Sequence, residues 1–210
     1  MKMLEIKNLS FKYKKNAPDI LSNFSYAFEN GRLYGIMGRS GTGKTTLISL
    51  VAGLEKPDSG EIYLDGRSIS GMDMNEYRSK HTGVIFQSFN LLLKFNAVEN
   101  VEMELYLSGR RKDMRKTALS LLGQLGIEGA AARRRILHLS GGEQQRVAIA
   151  RALAGDPKII IADEPTGNLD YENTDNIMNI LKNLSREGKC VIVVTHSDVV
   201  SKYADELIRL

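Results

Sequence analysis

Eight consecutive residues, Gly38-Arg39-Ser40-Gly41-Thr42-Gly43-Lys44-Thr45, carry the densest chemistry in the chain. The spacing G-x-x-x-x-G-K-[ST] suits phosphate: the glycines let backbone N–H groups turn inward around phosphate oxygens, and a helix starting at the loop's end adds unpaired donors and a positive dipole end. Lys44 would neutralise charge on the β- and γ-phosphates. The Thr45 hydroxyl is a hard oxygen donor suited to Mg²⁺, and Thr46 offers a second phosphate contact.

Two acids stand at a second place of interest. Ile159-Ile160-Ile161-Ala162 runs into Asp163-Glu164, which puts both carboxylates at the C-terminal end of a buried-type strand, where parallel α/β sheets bind ligands. Asp163 would hold Mg²⁺ through water, and Glu164 would polarise or deprotonate an attacking water. Neighbouring strand residues point to opposite sides, so the two acids can share one site only where the strand is ending. An acid before Pro165 could equally cap a helix or close a turn. The phosphate loop tips the balance towards hydrolysis of a nucleoside triphosphate.

These groups need a scaffold. Leu4, Ile6, Leu9, Phe11 and Tyr13 alternate with polar residues after a one-residue phase change, which predicts a bulged strand ended by Asn16-Ala17-Pro18-Asp19. A strand over Leu21 to Phe28 and another over Arg32 to Met37 flank the turn Glu29-Asn30-Gly31, so the opening third reads as mostly antiparallel β. After Gly38 a helix over Thr45 to Ala52, then strands at His81 to Phe86, Ile159 to Ala162 and Val191 to Val194 separated by helical stretches, predict a parallel sheet covered by helices. Lys112 to Leu125 shows helical spacing at Met114, Ala118, Leu121, Leu122 and Leu125, and Glu206 to Leu210 reads as a last strand. The expected fold is α/β, with residues 1–86 and 140–210 forming a catalytic core with an antiparallel lobe and residues 87–139 an inserted helical lobe.

Composition narrows the setting. With 210 residues, 42% apolar and 26% charged, the chain can bury a full core. One cysteine, Cys190, excludes an internal disulfide and a Cys-rich zinc site. Apolar runs fall far short of the roughly 20 residues that span a bilayer, and Glu5 stands where a signal peptide would need its apolar core, so a cytoplasmic location is expected. The net charge of +4 is a mild field that selects no partner. Arg110-Arg111-Lys112 and Arg133-Arg134-Arg135 read as solvated faces, and His81 and His138 as structural.

Leu139-Ser140-Gly141-Gly142-Glu143-Gln144-Gln145-Arg146 resembles the signature motif of ATP-binding cassette (ABC) ATPases, a diagnostic sequence that joins the parts above. The resemblance extends over essentially the whole chain, with Gln87, Asp170 and His196 in family order. It implies that the core is a P-loop NTPase and that the cofactors are ATP and Mg²⁺. Gln87 opens the Q-loop and joins Thr45 and Asp163 at the metal, Asp170 lies in the D-loop, and His196 is the switch histidine. Catalysis is thereby expected from Glu164, His196, Gln87 and Lys44. Tyr13 corresponds to the aromatic that stacks on adenine, although Phe11 shares its alternation and either ring could be core. Nucleotide contacts are expected from Tyr13 and residues 38–46. Ser140 and the Gly141 and Gly142 amides would form a second anion site at a helix start. Two anion sites on one ATPase point to a head-to-tail homodimer, in which Ser140, Gly141, Gly142, Glu143 and Asp170 reach the partner's ATP.

Asp163-Glu-Pro-Thr-Gly-Asn-Leu-Asp170, Phe89-Asn-Leu-Leu-Leu and Ala97-Val-Glu-Asn-Val101 look like the bacterial subgroup of lipoprotein-releasing, macrolide-export and antimicrobial-peptide-export cassettes. That likeness implies an ATPase on the inner face of the cell membrane, driving a separate permease for export or force transmission. The permease would dock near Gln87–Val101, with Phe89, Leu91 to Leu93 and Phe95 as the exposed apolar residues of a groove for a short helix. Two rivals stand beside it. One is a cell-division cassette that drives a membrane partner without transport. The other is a soluble ABC ATPase acting on nucleic acid or ribosomes, disfavoured by the short helical lobe and the single cysteine, so no direct nucleic-acid contact is expected.

Overall fold

The computed structural model describes residues 2–14 and 18–210; Asn16 and Ala17 of the expected first turn lie outside them. The elements are β1 (Lys2–Phe11), β2 (Leu21–Glu29), β3 (Leu33–Met37), α1 (Lys44–Val51), β4 (Ser59–Leu64), β5 (Arg67–Ser68), α2 (Met74–Glu76), β6 (Thr82–Ile85), α3 (Ala97–Leu107), α4 (Met114–Gln124), α5 (Gly129–Arg133), α6 (Gly141–Leu153), β7 (Ile159–Asp163), α7 (Tyr171–Arg186), β8 (Cys190–Val194), α8 (Asp198–Ser201) and β9 (Glu206–Arg209). They form a five-stranded sheet, β6-β7-β8-β3-β9, whose pairings are parallel, and a four-stranded sheet, β2-β1-β4-β5, whose pairings are antiparallel.

The inner strands β3, β7 and β8 are buried on both faces, so they carry apolar runs rather than alternation, whereas the edge strand β9 buries only Ile208. Alternate residues serve two separate cores. Ile160, Ala162, Val191 and Val193 face a core shared with α3, α4, α6 and α7. Ile159, Ile161, Ile192 and Val194 face a core shared with α1 and the antiparallel sheet. All helices between Gln87 and Leu139 pack on the first of these faces.

The phase change in β1 is real: Leu4, Ile6, Leu9 and Phe11 are all buried, and the register shifts between Ile6 and Leu9, where Asn8 takes φ 50°. Gly60 of β4 is required opposite this bulge, since a Cβ there would sit 2.3 Å from the Asn8 carbonyl oxygen. The antiparallel reading of the opening third fails for β3. Leu33 to Ile36 are buried, and the strand lies parallel between β8 and β9, so Glu29-Asn30-Gly31 leads from one sheet to the other instead of closing a hairpin. A strand buried on both faces belongs at a sheet centre. No helix among the described residues is long and apolar enough to cross a membrane.

Candidate functional site

The ends of β3, β6, β7 and β8, the loop after β3 and Tyr13 beyond β1 build the site. β3 delivers Gly38, where a Cβ would meet Thr42 Oγ1 at 2.6 Å and the Leu210 carbonyl at 2.8 Å, so the loop closes only around glycine. Gly43 is the N-cap of α1 at φ 93° and makes no side-chain cap, which leaves the first-turn N–H groups of α1 without that partner. Lys44 Nζ donates to the carbonyls of Gly38 at 2.8 Å and Arg39 at 3.0 Å, so the ammonium lies inside the curl of the loop.

β7 ends on Asp163, whose Oδ2 accepts from Thr45 Oγ1 at 3.3 Å. Burial holds the Asp163 carboxyl above the usual aspartate range; the Thr45 hydrogen bond opposes this, and the neighbouring Glu164 charge adds to it. Glu164 then turns left-handed, at φ 46°, with its N–H bonded to the Val194 carbonyl. That conformation swings its carboxylate away from the strand's alternation to the same side as Asp163. Its Oε1 lies 2.7 Å from His196 Nδ1, just past the end of β8.

Gln87 follows β6, and its amide occupies the space over Gly167, where a Cβ would be 2.8 Å from Nε2. Asn168 Nδ2 donates to the Gln87 carbonyl at 3.2 Å. Sequence reasoning missed these two supports, although a glycine two residues after Pro165 was a signal that something approaches closely. Tyr13 lies beyond β1, largely exposed, edge-on to Phe11 with ring centroids 5.0 Å apart, and its hydroxyl is 3.2 Å from Thr46 Oγ1.

Tyr13, Gly38, Ser40, Gly41, Gly43, Lys44, Thr45, Thr46, Gln87, Asp163, Glu164 and His196 thus line one cavity of about 610 Å³, within the range of small-molecule and cofactor sites. Arg39 and Thr42 sit in the loop without lining it. Ser140, Gly141, Gly142, Glu143 and Asp170 lie apart from it at helix starts. Ser140 and Glu143 cap α6 reciprocally, and Asp170 caps α7 through Asn173. Among the described residues no three His, Cys, Asp or Glu side chains cluster as a metal group. A Thr hydroxyl beside one carboxylate still suits Mg²⁺, which takes one or two protein oxygens and completes its shell from water and phosphate.

A larger groove, about 1000 Å³, lies elsewhere, between α3 and the sheet, with Ala52, Leu54, Phe86, Leu92, Met103 and Leu107 among its walls. The expected set of exposed apolar residues needs correction here. Leu91 is buried in the core beneath α3, Phe89 packs half-buried against that core and Phe95 is half-buried too, leaving Leu92 and Leu93 exposed. Of that run, Leu92 alone lines the groove.

Comparison with known proteins agrees with the geometry. The family described as ABC transporter matches residues 21–167. The macrolide export ATP-binding/permease protein MacB of Chlorobaculum tepidum is 41% identical over 99% of this chain and 33% of its own length. The lipoprotein-releasing system ATP-binding protein LolD 1 of Chlorobium chlorochromatii is 42% identical over 91% of this chain and 80% of its own. The dimeric post-hydrolysis structure of the ATP-binding cassette MJ0796, bound to ADP and phosphate, superposes with a TM-score of 0.89 at 38% identity, covering 99% of this chain and 94% of that one.

Proposed function

The chain belongs to the ABC transporter family, and from that premise we propose that it is the Mg²⁺-dependent ATPase subunit of an exporter-type or force-transmitting complex, working as a head-to-tail dimer. The observation that carries the reading is the convergence of Lys44, the Thr45–Asp163 pair and the Glu164–His196 pair on one cavity. Lys44 and the amides of residues 38–46 bind the β- and γ-phosphates. Mg²⁺, held by Thr45, Asp163 and Gln87, would neutralise phosphate charge during transfer. Glu164 takes the proton of the attacking water, and His196 keeps its carboxylate aimed. Tyr13 offers a ring face to adenine.

Ser140, Gly141, Gly142, Glu143 and Asp170 serve the nucleotide of a second copy, because their helix-start donors lie outside the chain's own cavity. Residues 87–139 act as a helical lobe moving against a core of residues 1–86 and 140–210. The groove between α3 and the sheet accepts a short helix of a membrane permease near Gln87–Val101. The subunit accordingly works on the cytoplasmic face of the membrane. MacB and LolD, whose descriptions pair ATP binding with macrolide export and lipoprotein release, support the export reading.

The test is phosphate release with Mg·ATP, followed by capture of partners on the Glu164→Gln variant from detergent-solubilised membranes of the host. Mg²⁺-dependent hydrolysis and recovery of a polytopic permease are expected. Recovery of nucleic acid or ribosomes instead would discard the transport reading.

A further inference from the structure

Just beyond Gln87 the backbone is strained. Phe89 and Asn90 both take left-handed conformations, φ 59° and 49°, which a bulky aromatic residue almost never adopts and two successive non-glycine residues hold only when their surroundings impose it. The imposing group comes from far along the chain. Arg151, in the last turn of α6, donates Nη1–H to the Asn90 carbonyl at 2.6 Å and Nη2–H to the Phe89 carbonyl at 3.2 Å. A planar guanidinium can bridge two adjacent carbonyls; an ammonium cannot reproduce that fork.

The clamp lies between two sites. Arg151 also lines the large groove, as does Glu104 of α3. Glu104 supplies a counter-charge: burial pushes its carboxyl above the usual range, and the guanidinium draws it back. At the other end of the same helix, eleven residues upstream and about 16 Å away along the axis, stands Ser140 with its capping box.

We propose that Arg151 is a positioning residue for the ATPase reaction: by clamping the Phe89–Asn90 turn it fixes where Gln87 presents its amide in the nucleotide cavity, and it ties that placement to helix α6. The inference rests on the reading of Gln87 as a metal and phosphate contact. Arg151 touches no lining residue of the nucleotide cavity in the hydrogen bonds above, so it acts through the turn. A partner helix entering the groove would meet Glu104 and Arg151 directly, and the turn would respond.

The experiment is a double-mutant cycle between Arg151→Lys and Gln87→Ala in the full chain, reading kcat, KM for ATP, the Mg²⁺ concentration for half-maximal rate, and Tm. Lysine keeps one cation and most of the packing, so the fold should survive. Arg151→Lys should lower kcat about tenfold or more, the scale of a misplaced positioning group, with KM for ATP changed less than about twofold because the phosphate loop is untouched. Its Mg²⁺ requirement should rise as in Gln87→Ala, and the double variant should be no worse than Gln87→Ala alone. A parental kcat and Mg²⁺ requirement in Arg151→Lys beside an impaired Gln87→Ala would overturn the proposal. So would losses that add in the double variant together with a lowered Tm, since that marks a structural role. A parental Gln87→Ala would overturn the reading of Gln87 and this inference with it.

Discussion

Glu164 and His196 meet at 2.7 Å across the ends of two neighbouring parallel strands, the acid mostly buried and the imidazole mostly exposed. The pairing divides labour: a left-handed backbone turns Glu164 inward, and the ring of His196 holds it there from the open side. Glu164→Gln keeps the shape and the hydrogen bond but removes the proton acceptor. Hydrolysis should fall by about 100-fold or more, the scale of general base catalysis. ATP binding should persist, so ATP should shift the variant from monomer to dimer in size-exclusion chromatography. His196→Ala should lose activity while retaining the base, and both variants should keep the parental Tm in the absence of nucleotide. Parental phosphate release by Glu164→Gln would remove the base assignment.

Gly167→Ala probes Gln87 without altering it. The added Cβ would come within 2.8 Å of Gln87 Nε2, the far end of a flexible side chain, so the amide moves and the backbone need not. The expected result is a kcat lowered about tenfold with little change in Tm, because displacing a positioning group by an ångström can cost up to about a hundredfold. Circular dichroism melts and steady-state kinetics on one preparation would decide it.

The local parts of this site were legible. Strand, glycine loop and helix follow from residues 33–51 because each step is encoded by neighbours: an apolar run, the glycines, and then Leu47, Leu50 and Val51 spaced as on one helix face. Asp163 and Glu164 could be placed at a strand end for the same reason. What escaped reading depends on distant segments. β3 looked like a hairpin strand until β8 and β9 flanked it, and Leu91 looked exposed until α3 covered it. No pattern near Phe89 or Asn90 announces a guanidinium from residue 151, and none near Gly167 announces Gln87. Such contacts pair elements that only the finished topology brings together.

The start of α6 should show its own pH dependence. Glu143 Oε2 accepts from the Ser140 N–H at 2.7 Å, and that bond holds its carboxyl below the usual glutamate range. A lowered folded-state pKa contributes stability that is present above the unfolded value and is lost as pH falls through the folded one. Glu143→Gln should therefore lower Tm slightly at pH 7, with the gap closing in acid. Ser140→Ala should cost about 1 kcal/mol, most of it persisting in acid, since the hydroxyl's cap on the Glu143 N–H does not titrate and only its smaller hydrogen bond to the Glu143 carboxylate does. Urea melts at several pH values would separate the two.

Gly60→Ala should be among the costliest single changes. Its φ is +83°, and the new Cβ would lie 2.3 Å from one backbone carbonyl oxygen and 2.5 Å from another, those of Asn8 and Lys7. Backbone atoms cannot swing aside as a side chain can, so the β1 bulge must open. A loss of about 2 kcal/mol or more is expected, read as a lower urea midpoint with an unchanged slope. A variant as stable as the parent would mean that β4 can shift along β1.

Gly142→Ala separates packing from nucleotide binding at the second anion site. A Cβ on Gly142 would sit 2.2 Å from Asn173 Oδ1. Asn173 in turn donates Nδ2–H to both Asp170 oxygens, at 3.0 and 2.9 Å, and its backbone N–H donates to Asp170 Oδ1 at 2.8 Å. The methyl must therefore push Asn173 off Asp170 and disturb the start of α7. Stability should fall by about 1–3 kcal/mol, and the ATP-dependent dimer should weaken with it. Adding Asn173→Ala opens the space, so the double variant should regain stability. It should also regain dimerisation if the Gly142 amide, unchanged by either substitution, is what meets the partner's nucleotide. Recovery of stability without the dimer would assign the contact to the Asp170–Asn173 pair instead. Analytical ultracentrifugation in the Glu164→Gln background, with and without Mg·ATP, reads both outcomes.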